Sequence, residues 1–128
     1  MTQFLTVDEV LDLHTDLVTR FGGIAGIRDL GLLESALAQP SLALAYTQLT
    51  VFELAAIYCF GIIKNHPFLD GNKRTGLLAA ITFLYHNGIE IECSFEQLYK
   101  LAVGIADSSY QLSFIATFFQ KAATQRPR

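Results

Sequence analysis

The sequence predicts an all-α fold, a compact bundle of about six helices that forms a single domain over residues 1–128. Three capping boxes support this prediction, because a Ser or Thr three residues before a Glu or Gln marks the start of a helix. Hydrophobic residues make up 52% of the chain and charged residues only 16%, which indicates a tightly buried bundle. The three boxes are Thr6 with Glu9, Thr50 with Glu53, and Ser94 with Gln97.

The first predicted helix begins after Thr6 and runs to about Arg20, with apolar residues at helical spacing. Phe21-Gly22-Gly23 ends it, because glycine is the usual residue just past a helix C-terminus.

Asp29 is the expected N-cap of a short second helix over residues 30–38. We expect this helix to end before Pro40, since the residue preceding a proline is disfavoured in helical backbone. Residues 40–49 are then predicted to form a less regular connection.

The helix that opens at Thr50 is apolar on nearly all sides, which predicts that it is the central, buried helix. It is expected to stop near Asn65, because His66 precedes a proline and is pushed out of helical geometry. A second long helix begins around Asn72, so these two central helices flank a short loop.

Asn-Gly at residues 87–88 ends the second long helix, and residues 89–93 are predicted to be short and extended. Ser94 caps the next helix, and the Ser-Ser-Tyr-Gln run at residues 108–111 is expected to cap the last. The tail, residues 125–128, is expected to fray.

The most informative segment lies at the junction between the loop and the second long helix. A helix N-terminus carries unpaired N–H groups and about half a positive charge, which Lys and Arg side chains oppose. The simplest reason to place two cations there is to hold a strongly anionic ligand, and a polyphosphate is the obvious candidate. The segment reads His66-Pro67-Phe68-Leu69-Asp70-Gly71-Asn72-Lys73-Arg74-Thr75-Gly76.

Two side chains in this segment suit phosphoryl or nucleotidyl chemistry. Imidazole titrates near neutral pH, so His66 is a candidate general base, although it could instead only cap the preceding helix. Asp70 is a candidate ligand for a Mg²⁺ ion that bridges the phosphates of a nucleotide. An ordinary N-cap role for Asp70 is the alternative, and the two roles are compatible.

The next four residues are candidates for binding phosphate. Gly71 and Asn72 tolerate the backbone geometry that turns successive N–H groups toward one point, although a plain turn is the alternative. Lys73 and Arg74 would neutralise phosphate charge during transfer, with solvated surface charge as the alternative. Phe68 is expected to be a core anchor that holds the loop down.

Composition and motifs exclude several other classes of function. The formal net charge of −3 without a basic run argues against binding to duplex nucleic acid or an anionic membrane. The longest apolar run, residues 51–63, is too short to span a bilayer, and no paired Cys/His signature for zinc exists. Cys59 is expected to be a core residue, the N-terminus does not read as a signal peptide, and we expect a cytoplasmic protein.

Residues 66–74 resemble the signature of the Fic/Doc superfamily on its Doc (death-on-curing) branch, and shorter matches extend over nearly the whole chain. The resemblance implies a Fic fold with the motif loop between the two central helices. It implies that His66 is the base that activates a hydroxyl of the target and that Asp70 serves the metal. It also implies that residues 71–74, Gly71, Asn72, Lys73 and Arg74, hold phosphates.

Two positions separate this chain from the AMP-transferring Fic pattern. That pattern has glycine where Lys73 stands and a second arginine where Leu77 stands. Doc proteins share both differences, which implies a kinase that transfers the γ-phosphate of ATP or GTP instead of AMP. AMP transfer and a catalytically silent module that docks an antitoxin stay open as alternatives.

The resemblance also implies the partners of such a protein. The target would be a threonine of a translation protein such as elongation factor Tu, and modification would arrest protein synthesis. Restraint would come from a cognate, Phd-like antitoxin whose C-terminal segment folds into a groove of the toxin. Lys64 is a further candidate for a contact with phosphate or target, and residues 40–49 are the candidate flap that positions the target chain.

Overall fold

The computed structural model describes residues 1–125 and confirms an all-α fold of six helices with one short β-ribbon. The predicted fraying of the tail falls mostly on residues 126–128, which lie outside the described residues. Within residues 1–125, no helix combines the length and the apolar character needed to cross a membrane. The elements are α1 (Val7–Phe21), α2 (Leu30–Tyr46), α3 (Val51–Asn65), α4 (Asn72–His86), β1 (Ile89–Ile91), α5 (Phe95–Ala106), α6 (Leu112–Ala122) and β2 (Ala123–Gln125).

All three predicted capping boxes form. Each Ser or Thr hydroxyl accepts the N–H of the third residue of its helix, and the Glu or Gln side chain at that position accepts the N–H of the cap. Helices α1, α3 and α5 therefore begin where the sequence predicts.

The second helix is longer than predicted, because α2 continues through Pro40 to Tyr46. Proline removes one backbone hydrogen bond inside a helix, but the stabilisation from tertiary packing can compensate for that loss. Pro40 is buried, and Leu44 packs against the core beyond it. The prediction of an irregular connection over residues 40–49 is wrong for residues 40–46.

The last helix also begins differently from the prediction. Its N-cap is Gln111, whose side chain makes no capping hydrogen bond. Ser108 has a left-handed backbone (φ 68°), and its hydroxyl accepts a hydrogen bond from Lys64. Since Ser108 belongs to the turn between α5 and α6, it does not cap α6.

Within the predicted extended segment at residues 89–93, Ile89–Ile91 form β1, which pairs antiparallel with β2. The partner strand was not expected, because its last residue, Gln125, was assigned to the fraying tail.

Helix α3 is the central helix, as predicted, and packs against α2, α4, α5 and α6. Tyr58 and Cys59 are fully buried on it, so the expectation that Cys59 is a core residue is confirmed. Gly76 allows α4 to approach closely, because a Cβ atom there would lie 2.7 Å from Cγ1 of Ile63. This approach brings the end of α3 and the start of α4 together around the motif loop.

Candidate active site

The motif loop joins the C-terminus of α3 to the N-terminus of α4 and begins at His66. The backbone of His66 is left-handed (φ 53°, ψ 54°), and its N–H donates to the Ile62 carbonyl at 3.2 Å. The prediction that His66 leaves the helix is confirmed, and the residue does serve as a backbone C-cap. Its imidazole remains exposed and lines a cavity.

Arg28 fixes this left-handed residue from the segment between α1 and α2. Its Nε donates to the His66 carbonyl at 2.6 Å and its Nη2 to the Asn65 carbonyl at 2.9 Å. A cation at the negative end of a helix is favourable and satisfies carbonyls that the helix leaves unpaired. Sequence reasoning assigned Arg28 no role in the site, because a contact between residues 38 positions apart leaves no local signal.

Phe68 anchors the loop in the core, as predicted. It is fully buried, and the His14 ring from α1 stacks on it with a centroid distance of 3.8 Å. Nε2 of His14 donates to the Asp70 carbonyl at 2.8 Å. Through these two contacts His14 holds the motif loop against α1.

Asn72 closes the loop with its side chain. Oδ1 accepts the Phe68 N–H at 2.9 Å, and Nδ2 donates to the Phe68 carbonyl at 3.0 Å. Because the amide is buried and occupied in both directions, the predicted phosphate contact of Asn72 rests on its backbone N–H alone.

Gly71 is the N-cap of α4, with φ 77° and ψ 19°. Lacking a side chain, it cannot cap the helix, so the N–H groups of Asn72, Lys73 and Arg74 are left for an external acceptor. The predicted turn geometry at Gly71 is confirmed, and binding of phosphate at this end stays a prediction.

Asp70 is not the N-cap of α4. Its Oδ1 accepts the Gly71 N–H at 2.9 Å, and its Oδ2 accepts the Ile24 N–H at 3.1 Å. The bond from Ile24 has the largest effect on the pKa of Asp70, and the bond from Gly71 adds to it. Both lower this pKa below its ordinary value of 3.8, and the nearby His14 and Arg74 act in the same direction. Asp70 therefore presents a fixed, ionised carboxylate at the cavity.

This carboxylate fits the predicted role in holding Mg²⁺. Each oxygen accepts one backbone N–H and keeps lone pairs for a cation. Within residues 1–125, no three His, Cys, Asp or Glu side chains cluster around a possible metal site. A single carboxylate with phosphate oxygens is a usual way for proteins to hold Mg²⁺, so Asp70 would share the ion with a nucleotide.

The segment that borders the motif loop is residues 22–29. The Pro67 carbonyl accepts the N–H groups of Arg28 at 2.7 Å and Asp29 at 2.9 Å, and the Leu69 N–H donates to the Gly26 carbonyl at 3.1 Å. Residues 40–46 of the candidate flap belong to helix α2, so only residues 47–49 form a connection there, and a role of that segment in positioning a target stays a prediction.

All of the predicted site residues except Lys64 line one cavity of about 720 Å³. Its polar end is lined by His66, Asp70, Gly71, Asn72, Lys73 and Arg74. An apolar arm between α4 and α5 is lined by Leu77, Leu78, Ile81, Phe95, Leu98, Tyr99 and Ala102. The end of α1 contributes Leu17, Phe21, Gly22 and Gly23, and Ile63 and Ala106 complete the lining.

Lys64 is not among the described residues that line this cavity. Its Nζ donates to the Ala106 carbonyl at 3.4 Å and to the Ser108 hydroxyl. The predicted contact of Lys64 with phosphate has no support in this geometry, because the side chain points to the turn after α5.

Phe21 is the last residue of α1, and the sequence predicted only that it marks the end of this helix. The guanidinium carbon of Arg74 lies 4.9 Å from the centre of its ring, and both residues line the cavity. Only the folded chain brings these two positions together.

The bundle has the two central helices and the motif loop that the resemblance to the Fic class implies, and sequence comparison agrees. The Fic/DOC family model matches residues 4–84, and the chain belongs to this family.

The relatives place it on the Doc branch. The chain is 34% identical over 113 residues to the protein kinase Doc of Escherichia phage P1, covering 88% of this chain and 89% of that protein. It is 37% identical over 100 residues to the toxin Doc of Mycolicibacterium smegmatis, covering 75% of this chain and 73% of that protein. A solved Fic domain with bound ADP from Bartonella quintana aligns with a TM-score of 0.49 at 16% identity, over 73% of this chain and 48% of that chain.

The Asn72 clamp predicts that Asn72→Ala destabilises the motif loop. The substitution leaves the N–H and carbonyl of Phe68 unpaired in a buried place, which costs about 1–3 kcal/mol. Chemical denaturation should show this loss, and hydrogen exchange should show faster exchange of the Phe68 amide. The exposed Gln120→Ala on α6 is the control, and an unchanged Phe68 amide in Asn72→Ala would contradict the clamp.

The lowered pKa of Asp70 predicts a pH dependence of stability. Near pH 3.8 the unfolded chain binds a proton at this carboxyl that the folded protein does not, so stability rises with pH there. The contribution of the Asp70 charge to the free energy of unfolding is present above this pH, and it is lost as pH falls through the pKa of Asp70 in the folded protein. We expect the stability difference between wild type and Asp70→Asn to be constant from about pH 5 to 8 and to shrink below about pH 4.

Denaturation at a series of pH values measures this difference, and an NMR titration of the carboxyl carbon gives the pKa directly. A midpoint for Asp70 at or above 3.8 would contradict the hydrogen-bond assignment.

Proposed function

We propose that this protein is a Doc-type toxin that transfers the γ-phosphate of ATP or GTP to a Ser or Thr hydroxyl of a translation protein such as elongation factor Tu. The observation that carries the proposal is the shared cavity, where His66, Asp70, Lys73, Arg74 and the open N-terminus of α4 meet. The name of the phage P1 relative, a protein kinase, supports the same class of reaction.

The phosphates of the nucleotide would lie at the N-terminus of α4. The N–H groups of residues 72–74 and the positive end of the helix attract anions. Lys73 and Arg74 are unfavourable at this end of a helix without an anion, and a bound triphosphate converts that repulsion into attraction. Asp70 would hold a divalent cation, which supplies further neutralisation of phosphate charge when bound.

His66 would take the proton of the target hydroxyl. Its imidazole is exposed on the cavity beside the phosphate-binding end, while its backbone is fixed by Arg28 and by the turn at Pro67. The hydroxyl oxygen then attacks the γ-phosphorus, the bond to the β-phosphate oxygen breaks, and the nucleoside diphosphate leaves. Lys73 and Arg74 stabilise the negative charge that moves toward the leaving oxygens, which is the main contribution that phosphoryl transfer requires.

Lys73 and Leu77 favour this reaction over AMP transfer. Both residues line the cavity, and they replace the glycine and the arginine of the AMP-transferring Fic pattern. A lysine beside the helix end and an apolar residue one turn further on reshape the pocket for the distal phosphates.

Residues 22–29 are the segment that would position the target chain. They run beside the motif loop, and Ile24, Ile27 and Leu69 are exposed there. The sequence suggested the same role for residues 40–49.

A cognate antitoxin would be the natural restraint, as the name of the Mycolicibacterium smegmatis relative, a toxin, suggests. The apolar arm of the cavity between α4 and α5 exposes Phe95 and Tyr99 and would accept an amphipathic C-terminal segment of such a Phd-like partner.

The proposal predicts that wild-type protein with a Mg-nucleotide adds about 80 Da to elongation factor Tu, the mass of one phosphoryl group. His66→Ala should lower the rate about 10²- to 10⁴-fold, the usual contribution of a general base, with the fold intact by circular dichroism. Mass spectrometry of the target measures both.

His86→Ala is the matched control, because His86 is also exposed but lies at the far end of α4. An added mass of about 329 Da would mean AMP transfer instead of phosphorylation. Near-full activity of His66→Ala would remove the base assignment, and failure of the wild type to modify any protein of a translation extract would favour a silent docking module.

A further inference from the structure

Phe21 is an aromatic residue without a place in the core. Its side chain is 62% exposed, and it is absent from the core cluster and from the residues that pack against that cluster. Burial therefore does not account for a phenylalanine at the end of α1.

The ring of Phe21 supports Arg74 instead. The guanidinium carbon lies 4.9 Å from the ring centre, which is within the range of a cation–π interaction. A guanidinium that lies over a ring face keeps those of its N–H donors that point away from the ring available for a phosphate.

The position of Arg74 over the Phe21 ring also affects whether Arg74 pairs with Asp70. Arg74 and Asp70 line the same cavity, yet the ion pairs within residues 1–125 join other groups. A direct Arg74–Asp70 pair would occupy the carboxylate and the guanidinium with each other. Both groups would then be lost to a cation and an anion.

The turn after Phe21 holds the ring in a fixed relation to that carboxylate. Gly23 has φ 118°, and a Cβ atom there would lie 2.8 Å from Oδ2 of Asp70. The Ile24 N–H, next along the chain, donates to the same oxygen at 3.1 Å. The end of α1 and the carboxylate are therefore packed as one unit.

We propose that Phe21 is a positioning residue that holds the Arg74 guanidinium apart from Asp70 and ready for the phosphates of a nucleoside triphosphate. The inference rests on the proposed function, in that the anion it serves is the nucleotide of that reaction. Phe21 itself touches neither the phosphate nor the reacting atoms.

Substitutions at Phe21 separate this role from simple packing. Phe21→Leu keeps an apolar side chain but removes the ring face, whereas Phe21→Tyr keeps the face. We expect Phe21→Leu to raise the dissociation constant of Mg-ATP two- to fivefold, the size of an exposed cation–π interaction, and Phe21→Tyr to restore it to within twofold. Calorimetric titration measures both, and Phe114→Leu, an exposed aromatic on α6 outside the cavity, is the matched control.

A double-mutant cycle tests the coupling to Arg74. In an Arg74→Ala background, Phe21→Leu should have no further effect on Mg-ATP binding, because the stack is already absent. An equal effect in both backgrounds, or no rescue by tyrosine in a folded protein, would overturn the inference.

The same samples distinguish this inference from the proposed function. A wild type that binds Mg-ATP but adds no phosphate to any protein of a translation extract contradicts the proposed kinase, while the binding data still decide the role of Phe21. A wild type that binds neither Mg-ATP nor tripolyphosphate contradicts both.

Discussion

The site depends on one electrostatic constraint, the open positive end of helix α4. Gly71 begins the helix without a side chain to cap it, and two cationic residues follow in the first turn. Unpaired N–H groups and positive charges close together are unfavourable in the protein without a ligand, and they become favourable when an anion binds among them. The contacts of the motif loop keep this end open, and they keep the Asp70 carboxylate and the His66 imidazole beside it.

The loop is held by contacts that reach across the chain. Arg28 fixes the backbone of His66, the His14 ring and the Asn72 amide fix Phe68, and Ile24 fixes the Asp70 carboxylate. Most of these bonds use backbone groups of the loop, so the exposed imidazole and cations are not consumed in building it. Preorganisation of this kind avoids the cost of ordering the site when substrate binds.

Much of the fold follows from local sequence signals, and the failures have physical reasons. The capping boxes at Thr6, Thr50 and Ser94 gave correct helix starts, because their hydrogen bonds join residues three apart. The prediction at Pro40 failed because packing against α3 outweighs a local preference. The candidate site around His66 and Asp70 was visible in one segment, whereas the roles of Phe21 and Arg28 needed the tertiary structure.

Addition of Mg-ATP to ¹⁵N-labelled protein, followed by NMR, tests the central claim most directly. If the phosphates bind at the start of α4, the largest amide shifts should fall on Asn72, Lys73 and Arg74, with smaller changes at Gly71 and His66. Saturable binding that leaves these amides unmoved, or that shifts only residues of another helix, would contradict the account.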